Sequence, residues 1–139
     1  MLLVRLLRGG SAVLVSTPYM DEAMRFNRVL FMNHGRVLVE GKPHDLLQRL
    51  AGQVLELAAE PLMKARHVAQ ADPEVENVQA FGDRLHLRVT SAVGPLARLP
   101  DALSAASIRL IHLQPVNPTL EDVFIQLLEE NHDDQPTHD

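Results

Sequence analysis

Ser16-Thr17-Pro18-Tyr19-Met20-Asp21-Glu22 places two hydroxyls after an apolar run, with two acids close behind. The run, Ala12-Val13-Leu14-Val15, suits a strand covered on both faces. Pro18 lacks an N–H and cannot extend a ladder. Asp21 and Glu22 fall in the first turn of the helix expected next, where the helix dipole favours acids. Ligands of open α/β sheets gather at the carboxyl ends of strands, so Ser16, Thr17, Pro18 and Tyr19 would lie at a ligand edge. A second candidate, Gly35 followed by Gly41-Lys42-Pro43, superficially resembles a phosphate loop. Its glycines are one residue too far apart, and Pro43 stands where a Ser or Thr would hold magnesium, so a hairpin and a turn are expected instead. His132, Asp133, Asp134 and His138 are the one cluster with metal-ligand chemistry, and they sit in a polar tail whose ordering would cost more than a loose cluster returns. His86 and His112 fall in expected strands as paired or surface residues. No Ser/His/Asp nucleophile arrangement has supporting local context.

The elements that would position these residues follow from periodicity and turn chemistry. Residues 1–8 read as an amphipathic helix ending at Gly9-Gly10. After the strand at 12–15 comes a short helix over 19–26, then strands over 28–32 and 36–40 joined at Asn33-His34-Gly35. Pro43 starts a short helix through residue 50. A strand at 53–57, a helix at 61–71, strands at 74–80 and 84–90, a helix within 96–106 and a strand at 108–113 follow. Leu85, Leu87 and Val89 alternate with Arg84, His86 and Arg88, which predicts one wet face. The order β-α-β-β-α-β is the split βαβ, or ferredoxin-like, pattern. Leu120, Val123, Phe124, Leu127 and Leu128 form a helical stripe, read as intramolecular core, with Asn117 or Thr119 as its cap.

Composition is globular: of 139 residues, 46% are apolar and 22% charged. The net charge of −5 divides unevenly. Residues 1–50 hold seven Lys/Arg against four Asp/Glu (+3), and residues 51–139 hold six against fourteen (−8). That asymmetry suggests two units and argues against nucleic-acid binding by the second. Without cysteine, neither a disulfide framework nor a thiolate metal site can form. No apolar run approaches the roughly 18 residues of a membrane span.

Residues 10–23, Gly10-Ser11-Ala12-Val13-Leu14-Val15-Ser16-Thr17-Pro18-Tyr19-Met20-Asp21-Glu22-Ala23, resemble the switch-histidine region of ABC transporter ATP-binding subunits of the drug- and polysaccharide-export type. The likeness continues through Arg28-Val29-Leu30-Phe31-Met32, Gly35-Arg36-Val37-Leu38 and Gly41-Lys42-Pro43, and returns at Pro118-Thr119-Leu120-Glu121-Asp122-Val123-Phe124-Ile125. It implies an α/β fragment, the end of an ABC-type ATPase core, over residues 1–52. An α+β ferredoxin-like accessory domain with a closing helix is expected over 53–130, and a disordered tail over 131–139. In the complete family member, ATP and Mg bind, and the partners are a membrane-spanning permease subunit and a second ATP-binding subunit at the cytoplasmic membrane. Ser16, Thr17 and Pro18 would belong to the switch loop. The family's histidine there touches the γ-phosphate; Pro18 has no donor, acceptor or titratable group, a loss that typically costs about 10²–10⁴ in rate. The sequence contains no Walker A loop, ABC signature or Walker B acid, all of which such an ATPase needs around Mg-ATP. No catalytic residue is therefore assigned, and no ATP hydrolysis is expected of this chain alone. The alternative is a non-enzymatic dimerisation or regulatory module, a homodimer in the simplest case, without nucleotide binding.

Overall fold

The computed structural model describes residues 5 and 8–133. The helix expected over residues 1–8 lies for the most part outside the described residues, as does the end of the tail from residue 134. Residues 12–15 depart from expectation. They pair with no strand, and Leu14 is fully exposed. A strand meant to be covered on both faces needs neighbours, and the described residues supply none.

Helix α1 (Met20–Ala23) is a single turn carrying Asp21 and Glu22. It stops short of the expected end at 26, leaving Met24 exposed and Ala23 buried. Strands β1 (Val29–Asn33) and β2 (Arg36–Gly41) form a two-stranded antiparallel sheet. Their turn uses His34 and Gly35 at φ 47° and 73°, the left-handed pair that a tight two-residue hairpin requires. Val29 and Phe31 point inward, while Leu30 and Met32 face out beside Val37. Gly41-Lys42-Pro43 is the end of β2 and the start of α2 (Pro43–Leu47), not a phosphate cradle. Pro43 occupies the first turn, where no intrahelical N–H is needed. A 3₁₀ turn, Gln48–Leu50, completes this segment.

The second sheet contains β3 (Val54–Glu60), β4 (Val75–Phe81), β5 (Arg84–Val89) and β6 (Arg109–Pro115), in the order β4-β5-β3-β6 with every neighbouring pair antiparallel. Helices α3 (Leu62–Gln70) and α4 (Val93–Ala105) connect β3 to β4 and β5 to β6. Helix α4 begins a turn earlier than expected and contains Pro100 without breaking. One face of the sheet supplies Leu55, Leu57, Ala59, Val78, Leu85, Leu87 and Val89 to a core closed by Ala65 and Ala69 of α3 and Leu99 and Leu103 of α4. The alternation read from the sequence thus fixes which face is apolar.

Helix α5 (Leu120–Asp133) ends the described chain. Thr119 is its cap: Asp122 N–H donates to Thr119 Oγ1 at 3.2 Å, and the Thr119 N–H donates to Asp122 Oδ2 at 2.7 Å. This reciprocal exchange satisfies two helix-end donors. Its stripe is buried, as expected, but against the first unit. Leu120, Val123 and Leu127 pack with Ala23, Val29, Phe31, Leu46, Leu50 and Val54 in a second core. The Phe124 ring meets Phe31 edge-on, with centroids 5.3 Å apart. The two units therefore share α5.

Candidate functional site

The switch-loop residues are assembled by local hydrogen bonds. Thr17 Oγ1 donates to Glu22 Oε2 at 2.7 Å and accepts the Tyr19 N–H at 3.1 Å. The hydroxyl thus ties the loop to the first turn of α1. Ser16 and Pro18 are exposed beside it, and the Tyr19 ring stands in solvent. The loop brings a hydroxyl and a carboxylate together and presents a proline between them. The loop side chains that could touch an anion directly are the Ser16 hydroxyl and the exposed Tyr19 phenol.

A denser group of polar side chains lies on the second face of the four-stranded sheet. The alternation predicts that face to be wet, and the structure corrects this: α5 lies across it. His86 on β5 has Nδ1 3.1 Å from both carboxylate oxygens of Asp122, and Nε2 3.8 Å from Glu56 Oε2 on β3. Only 11% of the His86 side chain and 7% of the Asp122 side chain remain exposed. Glu56 also receives His112 Nε2 from β6 at 2.7 Å and Arg84 Nη1 at 3.2 Å. Farther along, Arg88 donates from Nε to Glu76 at 2.9 Å and from Nη2 to Glu129 of α5 at 2.7 Å. Asn77 donates to the other oxygen of Glu129 and accepts from Gln79. The Phe81 ring lies 4.4 Å from the His86 imidazole, centroid to centroid.

These contacts set the charges. The hydrogen bond to Asp122 raises the His86 pKa above its ordinary value, against the opposing effect of burial, and the charges of Asp122, Glu56 and Glu121 add to the rise. Burial would raise Asp122, yet the bonds from His86 and Thr119 hold it below the usual range. Glu56 is likewise lowered: burial opposes, while His112 and Arg84 prevail. Asn77, Gln79, His86, Arg88, Asp122 and Ile125 line a crevice of ≈ 10 Å³. That is room for about one water. Among the described residues no group of three or more His, Asp or Glu is placed to hold a metal ion. The arrangement clasps a helix to the sheet.

Residues 41–128 match the family described as ATP-binding protein DrrA1-3-like, C-terminal domain. The chain belongs to this family. Daunorubicin resistance ATP-binding protein DrrA2 of Streptomyces coeruleorubidus is 26% identical over 88% of the chain and 39% of its own length. Nod factor export ATP-binding protein I of Cupriavidus pinatubonensis is 33% identical over 88% of the chain and 36% of its own length. The probable multidrug ABC transporter ATP-binding protein YbhF of Escherichia coli K12 is 31% identical, over 86% of the chain and 20% of its own length. The chain thus spans well under half of each relative. It corresponds to the C-terminal part of an ABC transporter ATP-binding subunit.

Within this DrrA1-3-like chain the matched residues take in α2, the whole four-stranded sheet and α5 as far as Leu128. The clasp residues Glu56, His86, His112 and Asp122 fall inside that range; Ser16, Thr17 and Pro18 lie before it. Sequence reasoning placed His86 and His112 on strands but missed their partners. Thr119 and Asp122 at capping-box spacing carried a usable signal. No local pattern joins Asn77 to Glu129, which are 52 residues apart.

Proposed function

We propose that this chain serves as the non-catalytic end of an ATP-binding subunit of an ABC-type exporter. Residues 1–52 would finish the ATPase core, with Ser16, Thr17 and Pro18 as its switch loop. Residues 53–133 would form a ferredoxin-like accessory domain; its closing helix runs through Asp133, past the end expected at 130. The strand order β4-β5-β3-β6 with two crossover helices supports that accessory reading. In the complete assembly Mg-ATP would be bound by the subunit's remaining parts, with a permease and a second ATP-binding subunit as partners at the cytoplasmic membrane. No helix among the described residues is long and apolar enough to cross a membrane.

The observation that carries the reading is the family match combined with Pro18. By the family resemblance the loop would sit where a phosphate contact is expected, but Pro18 offers a group that can neither donate nor accept a proton, and these 139 residues contain no phosphate loop. Isothermal titration of the 139-residue chain with Mg-ATP is expected to show no saturable binding at micromolar concentration, and no phosphate release. Saturable binding competed by ADP would overturn it.

A dimerisation or regulatory role without nucleotide is the second reading. It is favoured by the exposed apolar side chains Leu30, Met32 and Val37 on the outer face of the β1–β2 hairpin. Sedimentation separates the two: a defined dimer with no nucleotide effect supports the second.

A further inference from the structure

We propose that His86 and Asp122 form a proton-controlled latch that fastens the first turn of α5 to the four-stranded sheet, and through α5 holds the β1–β2 hairpin. Asp122 has two tasks in this geometry. It closes the capping box with Thr119, and it meets His86 Nδ1 with both oxygens at 3.1 Å. Anything that changes the His86 charge therefore acts on the helix terminus itself. The opposite side of the same helix carries Leu120, Val123 and Leu127 into the core shared with Val29, Phe31 and Leu50. A helix loosened from the sheet stays with the hairpin, so the latch governs how firmly the two units are joined.

The groups facing His86 decide its response. Asp122 and Glu121 come from α5, and Glu56 from β3. Arg84 and Arg88 flank it on β5, but each is engaged elsewhere, Arg84 by Glu56 and Arg88 by Glu76 and Glu129. From β4 come the neutral Gln79 and Asn77 and the Phe81 ring, and His112 of β6 binds the far oxygen of Glu56. The surroundings of the imidazole are thus net acidic, and a proton on it completes the pairing. A neutral imidazole could still donate one hydrogen bond to Asp122. It would leave the nearly buried Asp122 carboxylate without a cation beside it, a costly state, while Glu56 keeps Arg84.

The sign follows from the raised His86 pKa. The docked helix binds the proton more tightly than the undocked one. The latch is at full strength below the ordinary value of 6.5 and weakens as pH rises through the docked value. The docking equilibrium changes tenfold for each unit by which the docked value exceeds the undocked one.

Hydrogen exchange with mass-spectrometric detection on the 139-residue chain tests this. Deuteration at the imidazole C2 of a peptide containing only His86 gives its midpoint. Amide protection factors across 120–128, corrected for the intrinsic pH effect, report docking. Protection should fall with pH around the His86 midpoint, by the factor that midpoint's excess over 6.5 dictates, while α3 amides stay constant. His86→Gln, which keeps a hydrogen bond but not the charge, should flatten the profile, and Asp122→Asn should lower the His86 midpoint. Flat wild-type protection across the His86 titration overturns the latch, as does a midpoint at or below 6.5. The wild-type profile decides even if a variant fails to fold.

Discussion

Asp122 is where local sequence and tertiary structure meet most closely. A carboxylate three residues beyond Thr119 would cap α5 in any context, because its oxygen reaches back to the Thr119 N–H. Its low pKa, however, depends on groups from both α5 and β5. Thr119→Ala removes one acceptor and one donor from this exchange and should cost about 0.5–2 kcal/mol. The pH dependence should change with it. Asp122 is depressed in the fold, so its contribution is present above the ordinary 3.8 and lost as pH falls through the folded value. Without Thr119 that folded value moves back toward 3.8, so the acid-sensitive part of the stability shrinks. Urea titrations of both proteins at a series of pH values should show their stabilities converging as pH falls. A constant gap down to strongly acidic pH would refute the assignment.

Among the elements, the junction between α4 and the α3–β4 loop is held by one residue. Arg98 donates from Nε and Nη2 to Asp72 at 2.9 and 2.7 Å, and from Nη2 to Glu74 at 2.6 Å. The Asp72 side chain is nearly buried, and the bond from Arg98, opposed by burial, holds its pKa below the ordinary value. Arg98→Ala strands that carboxylate, so Tm should drop at neutral pH, and the drop should narrow as acid protonates Asp72. Gly94 leaves room for this junction. A Cβ there would fall 1.7 Å from Glu74 Oε2 and 2.6 and 2.8 Å from Arg98 Nη1 and Nη2, so Gly94→Ala must displace the guanidinium as well as Glu74. The displaced Arg98 weakens its hold on Asp72, and calorimetry should find the variant less stable than the parent although alanine is favoured over glycine in a helix by about 0.8–1 kcal/mol. At this scale much of the fold was legible. Alternation in residues 84–89 gave strand and inward face, Asn33-His34-Gly35 gave the turn, and Pro43 gave the start of α2. What stayed hidden was the cover. Arg84, His86 and Arg88 read as solvent-facing because charge in a strand usually means water, and only the return of α5 from 30 or so residues later makes that face a clasp. Residues 12–15 misled in the opposite way: β-branched apolar residues signal a buried strand, but pairing needs a neighbour that local sequence cannot supply.

At the scale of the whole molecule, the described residues form two cores with α5 between them, and that arrangement decides what a cut near Gly52 should do. The first core, that of the four-stranded sheet, is self-contained: Leu55, Leu57, Ala65, Leu85, Leu99 and Leu103 all fall in the segment from β3 to β6. A fragment of residues 53–130 should therefore unfold cooperatively, as the βαββαβ order implies. It would also be adhesive. Leu120, Val123 and Leu127 are almost fully buried in the intact chain, and their cover comes chiefly from residues 23–50. Each side chain is worth about 1.5–3 kcal/mol of burial, so removing that cover leaves a stripe with strong drive to associate. The intact chain carries its own exposed apolar side chains, among them Leu14, Tyr19, Leu30, Met32 and Val37 in its first 37 residues, with Met63, Val93 and Ile111 exposed farther along. Deleting residues 1–52 exchanges one sticky surface for another. Light scattering should find both the 139-residue chain and the 53–130 fragment associating. Val123→Gln with Leu127→Gln should make the fragment monomeric while leaving its melt cooperative, since neither residue belongs to the first core. A fragment that is monomeric without those substitutions would mean that α5 finds cover on its own sheet, and the shared-helix arrangement would fall.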